Sequence, residues 1–166
     1  MAGITPFGAF HTAIALIAVL AGVFALVRHG EILFRDLSGR IYVYSTAATS
    51  ATGLFIYHHG GFGEPHVLAI LTLVVLAIAY AAERRNAFGG ASPYVAVIGN
   101  SLTLFFHTIP GFTETGTRLP LGDPLFATRE SPELLMAVGG TFVLFLLGAA
   151  IQALRLRTRR AVPAPA

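Results

Sequence analysis

The stretch IYVYSTAATSATGLFIY, Ile41 to Tyr57, contains no charged residue and lies between Arg40 and the pair His58-His59. It sits at the short end of the roughly 17 to 25 residues that cross a bilayer as a helix. Its centre, Ser45 to Gly53, is an unbroken run of small and hydroxyl-bearing residues. Such residues let helix backbones approach closely, and their hydroxyls bond to neighbours or to the preceding turn. No ionisable group interrupts the run, so tight packing is its expected use and this span is the expected centre of the bundle.

Four further apolar blocks flank it: Phe7 to Val27, His66 to Ala82, Pro93 to Ile109 and Glu133 to Ala153. Pro6, Pro65, Pro93 and Pro132 stand at their starts, where a first helical turn can do without a backbone N–H. Ser92 and Ser131 precede two of these prolines as N-cap candidates. With 55% hydrophobic and only 11% charged residues, the chain reads as an all-α integral membrane protein of five transmembrane helices. Residues 1–160 form one domain and 161–166 a disordered tail rich in Ala and Pro. Met1 to Phe10 has no charge and the first block is long, so a retained span is expected there instead of a cleaved secretory signal.

Charge fixes the direction. All 11 basic residues are arginine, and nine of them (Arg28, Arg35, Arg40, Arg84, Arg85, Arg155, Arg157, Arg159 and Arg160) fall on one side of a five-span chain. The positive-inside rule makes that side cytoplasmic, with the N-terminus outside and the C-terminus inside. The expected location is the inner (cytoplasmic) membrane, as a multi-pass protein in contact with the lipid bilayer, with no nucleic-acid partner. The longest connection, Pro110 to Ser131, is then external and shows no strand or helix pattern.

Chemistry is expected from the histidines. There is no cysteine, which removes disulfides, thiolate metal sites, iron-sulfur clusters and c-type haem attachment. Five of the six histidines fall at the external end, and His29 lies among the arginines. His58 and His59 read as interfacial turn residues beside Gly60 and Gly61. His11, His66 and His107 belong to three different spans and lie within about one turn of a common depth at 1.5 Å of rise per residue. Imidazole inside a span usually faces the bundle interior or a bound ion. Three such rings would hold a transition-metal ion (Zn, Cu or Fe), with Glu64 or Glu114 adding a carboxylate. Two facing rings would be the axial ligands of a haem b. Gly8, Gly22, Gly53 and Gly99 are positions where a macrocycle would find room, and Asn100, Thr103 and His107 form one polar stripe at helical spacing.

The leading expectation is a cofactor or metal site formed by His11, His66 and His107, serving redox chemistry or electron transfer. A non-enzymatic membrane subunit, homo-oligomer or small-solute binder packed through small-residue faces is the alternative, with Gly139-Gly140 and Gly148 as contact positions. A membrane-embedded metal hydrolase with Glu114 as ligand and base is the third.

The chain also resembles a bacterial family of small membrane proteins catalogued as domain of unknown function 2306. The resemblance rests on His11, on Gly39-Arg40-Ile41-Tyr42-Val43, on Gly61-Phe62-Gly63 followed by His66, and on Glu114 with Thr117-Arg118-Leu119-Pro120. It implies a membrane bundle and assigns no activity. Where such relatives have a histidine near the start of the fourth span, this chain has Ser92 and Pro93, so a site of that kind here would use His107.

Overall fold

The computed structural model describes residues 5–57 and 61–161, and the expectations for His58, His59 and the tail from 162 onward lie outside the described residues. The described residues form five α-helices: α1 (Pro6–His29), α2 (Leu37–Gly53), α3 (Glu64–Arg85), α4 (Ser92–Gly116) and α5 (Pro132–Ala161). A single 3₁₀ turn, Gly89–Ala91, leads into α4. Four helices, α1, α3, α4 and α5, are long and apolar enough to cross a membrane. Their outer faces carry exposed Leu, Ile, Val and Phe, the surface a lipid bilayer would cover. At 17 residues α2 is shorter, about 25 Å at 1.5 Å per residue.

The helices run up and down. Thr52 near the end of α2 bonds His11 near the start of α1, so the two helices lie antiparallel along their length. Glu83 at the end of α3 returns to the α1–α2 connection, and Gln152 of α5 does the same. One end of the bundle therefore gathers the arginine-bearing segments, and the other carries His11, His66 and His107. We call these the arginine end and the histidine end.

Helix α4 is the central element, correcting the expectation for the span read as Ile41 to Tyr57. It packs against α1, α3 and α5 and bonds α2 through Tyr42 and Thr46. The groove of α1 formed by Ala18, Gly22 and Ala25 is buried, and Tyr42 of α2 fills it. A Cβ on Gly22 would lie 2.7 Å from the Tyr42 ring, so glycine is what admits the aromatic.

Several boundaries differ from those read in the sequence, and α5 runs on to Ala161. Helix α2 starts one turn earlier, at Leu37, and ends at Gly53, where Phe55 N–H turns back to Thr52. Its first turn contains Ser38, Gly39 and Arg40, so hydropathy alone conceals it. Helix α4 continues through Pro110 to Gly116, a stretch expected to belong to the connection. Proline is tolerated inside apolar helices because neighbouring groups re-satisfy the freed backbone. Beyond Gly116 the connection folds back: Phe126 N–H donates to the Gly116 carbonyl (2.9 Å), and its ring covers that glycine.

The α1–α2 connection is driven into the arginine end. Ile32 is fully buried and Leu33 nearly so. Asn100 Nδ2 of α4 donates to the Ile32 carbonyl (2.8 Å) and Gln152 Nε2 of α5 to the Gly30 carbonyl (3.0 Å). The Glu83 carboxylate of α3 accepts from the Phe34 and Arg35 N–H groups at 2.8 and 2.9 Å. Glu31, itself buried, pairs with Arg35 and Arg159. Backbone polar groups in an apolar setting must find partners, and these side chains provide them.

Candidate functional site

Helix α2 carries Tyr42, Thr46, Thr49 and Gly53 at spacings of three and four, which puts them on one face, with Thr52 at its edge. That face meets the polar stripe of α4. The Tyr42 hydroxyl lies 2.6 Å from Thr103 Oγ1, and Thr103 donates its own proton to the Asn100 carbonyl (2.9 Å). The Tyr42 hydroxyl also donates to the same Asn100 carbonyl (3.2 Å), so Tyr42 and Thr103 meet on one acceptor. Thr46 Oγ1 is 3.1 Å from His107 Nε2. Tyr42, Thr46, Thr103 and His107 thus form one polar cluster between α2 and α4.

His11 is held from the other side of α2. Its Nδ1 is 2.9 Å from Thr52 Oγ1, and Thr52 donates its only hydroxyl proton to the carbonyls of Ala48 and Thr49. Thr52 must therefore accept from His11 Nδ1–H, which leaves a lone pair on Nε2. His107 is held through Nε2 by Thr46, which leaves Nδ1 as its open ring nitrogen. Neither open nitrogen has a hydrogen-bond partner among the described residues. Gly53 lies against His11, with Cε1 3.4 Å from a Cβ built there.

His66 is placed differently. It is the third residue of α3, and its Nδ1 accepts the Gly63 N–H (3.2 Å), an N-terminal cap made by a side chain. Its ring lies between Tyr57 and Phe62, with centroids 4.8 and 5.2 Å away. The lone pair is thus committed to the cap, and the proton sits on Nε2, buried and without a partner among the described residues. His11 and His107 are both bonded to α2, at Thr52 and Thr46, and His66 lies at the same end with its Nε2 unpartnered among the described residues.

Glu114 lies two turns beyond His107, in the last turn of α4, and its carboxylate is taken up by Arg118 and Arg129. Among the described residues no three His, Cys, Asp or Glu side chains are grouped to hold one ion. Three of the four glycines read as room for a macrocycle are covered: Gly22 by Tyr42, Gly53 by His11, and Gly99 by Ala79, 3.1 Å from a Cβ built there. Two hollows stand out, and both avoid the histidines. One is a shallow groove along Ile151, Leu154 and Arg155, and the other a cavity of about 210 Å³ at the arginine end, beside Glu31, Glu83 and Arg159.

Sequence reasoning found the α4 stripe and the histidine end. It missed Tyr42, Thr46 and Thr52 as the groups that orient the imidazoles, although their period of three and four was legible once the helix was set to begin at Leu37. The chain matches no family model, no curated protein and no solved structure.

Proposed function

We propose that this is a five-span inner-membrane protein, N-terminus outside, that binds a transition-metal ion between His11 and His107 and serves redox chemistry or electron transfer at the external face. One observation carries the reading: each imidazole is anchored through one nitrogen to a threonine of α2, and its other nitrogen has no hydrogen-bond partner among the described residues. Metal-ligating histidines have this arrangement, the anchoring bond fixing tautomer and ring orientation. Imidazole suits Zn, Cu and Fe. The covered glycines fit an ion better than a haem b, and His66 belongs to the surroundings of the site. The likeness to domain of unknown function 2306 is part of the same reading and adds no activity to it.

The test is an absorption spectrum with metal analysis on full-length protein purified in detergent without a nickel resin. Stoichiometric Cu, Zn or Fe is expected, lost in His11→Ala and in His107→Ala and kept in His66→Ala. Thr52→Val, which removes only the anchor, should weaken binding roughly 10- to 100-fold. A Soret band would replace the ion with a haem. Wild-type protein with neither metal nor Soret band would sink the proposal.

A second reading, a non-enzymatic subunit or homo-oligomer, draws its support from α5. A Cβ built on Gly139, Gly140 or Gly148 meets nothing within 4 Å, so these small-residue positions are uncovered in the single chain. Small residues at helix surfaces are the usual contact points between membrane helices.

A further inference from the structure

The outer side of α5 changes character near its C-terminal end. Leu144, Leu147, Ile151 and Leu154 follow at intervals of three and four, and all are exposed. They form one apolar stripe along the helix. From Leu144 to Leu154 it runs about 15 Å at 1.5 Å of rise per residue, the depth of one leaflet of a hydrocarbon core roughly 30 Å thick. Arg155, Thr158 and Arg159 continue the same side beyond it.

At that junction the surface is hollowed. A groove of about 390 Å³ is lined by Ile151, Leu154, Arg155, Thr158 and Arg159, apolar toward the middle of α5 and cationic at its outer end. Arg155 and Arg159 are neighbours one turn apart, a spacing that puts about 5 to 6 Å between Cβ atoms. Neither charge is fully used inside the protein. Arg155 has no ion pair or hydrogen bond among the described residues, and its Nη1 is set over Gly30, 2.5 Å from a Cβ built there. Arg159 gives only Nη1 to Glu31, at 3.2 and 3.3 Å, and shares that carboxylate with Arg35. Its side chain stays 57% exposed. Guanidinium groups recognise phosphate through paired N–H donors.

We infer that this groove binds an anionic glycerophospholipid, its phosphodiester held by Arg155 and Arg159 and an acyl chain laid along Leu154, Ile151 and Leu147. Basic hollows at the ends of membrane helices hold anionic headgroups in this way. A zwitterionic lipid brings its own cation, which two arginines disfavour. The inference is independent of any ion at His11 and His107.

The test is native mass spectrometry of the full-length protein, titrated in detergent with dioleoyl phosphatidylglycerol or with dioleoyl phosphatidylcholine, whose chains are identical. Wild type is expected to bind phosphatidylglycerol more tightly. Arg155→Gln should weaken that binding about five-fold, the worth of one basic residue at an anionic surface, and leave phosphatidylcholine unchanged. Arg155→Lys should recover most of the loss. Arg159→Gln should act as Arg155→Gln does; because it also takes a partner from Glu31, Arg155→Gln decides the matter if that variant fails to fold. Arg157→Gln removes an equal charge at the same end, outside the groove lining, and should bind as wild type. Equal affinity of wild type for the two lipids overturns the inference. An equal loss in Arg157→Gln overturns it too, by making the attraction a property of the whole basic end. So does displacement of phosphatidylglycerol by an equal concentration of inorganic phosphate, the sign of a site for a free anion.

Discussion

Gly39 shows how much of this fold hangs on single atoms. A Cβ placed there would lie 1.7 Å from the Leu33 carbonyl oxygen, so the first turn of α2 presses directly on the connection that precedes it. Backbone cannot swing aside as a flexible side chain can. Gly39→Ala is expected to cost at least the upper part of the roughly 1 to 3 kcal/mol typical of overpacking. Gly111→Ala, where nothing lies within 4 Å, is the control and should leave stability nearly unchanged. Thermal unfolding of the two variants in detergent checks this. At the same scale, Asn100 was legible in the sequence as a buried polar group in need of a partner. That the partner is the Ile32 carbonyl was not legible, because it depends on a connection entering the bundle 68 residues away in the chain. The tautomer of His11 was equally hidden: it follows from the carbonyls that Thr52 uses.

Among the elements, α2 and α5 are opposites. Helix α2 is short and rich in hydroxyls; it packs against α1 and α3 and bonds α4 through Tyr42 and Thr46. Helix α5 is long and apolar and packs along α4, with few of its residues buried. The existence of α5 was readable from hydropathy, whereas the start of α2 was not, since its first turn is polar. Hydropathy also stopped α4 at Pro110, because the steric rule against internal proline takes no account of the packing that lets the helix run on. The uncovered glycines of α5 carry their own prediction. Gly140→Leu fills open space in the single chain and should leave its stability intact. If α5 is an interface, the same change should reduce the molar mass in detergent to that of one 17.5 kDa chain. An unchanged molar mass counts against the subunit reading.

For the molecule as a whole, the alternation of the helices and the gathering of arginines at one end lead to an expected topology. A reporter active only in the cytoplasm should work when fused after Arg160 and fail when inserted between Thr117 and Ser131, and a reporter active only outside should behave the reverse way. The opposite result would invert the orientation and put the histidines on the cytoplasmic side. Five alternating helices were readable from apolar blocks and charge. The bonding of both His11 and His107 to α2 was not, because helical depth is set by sequence but the rotation of one helix against another is set by packing.

The clasp on the α1–α2 connection bears on how the protein is made. Its holding groups are Glu83, Asn100, Gln152 and Arg159, from α3, α4 and α5 in turn, so the first bend of the chain waits for the last helix to be synthesised. Until α5 enters the membrane, the Gly30 carbonyl lacks its partner and Glu31 lacks one of its two arginines. Completion of the C-terminal helix is thus the step that seals the N-terminal hairpin, and a nascent chain cut short before Gln152 would present that loose bend to the cell's proteolytic surveillance.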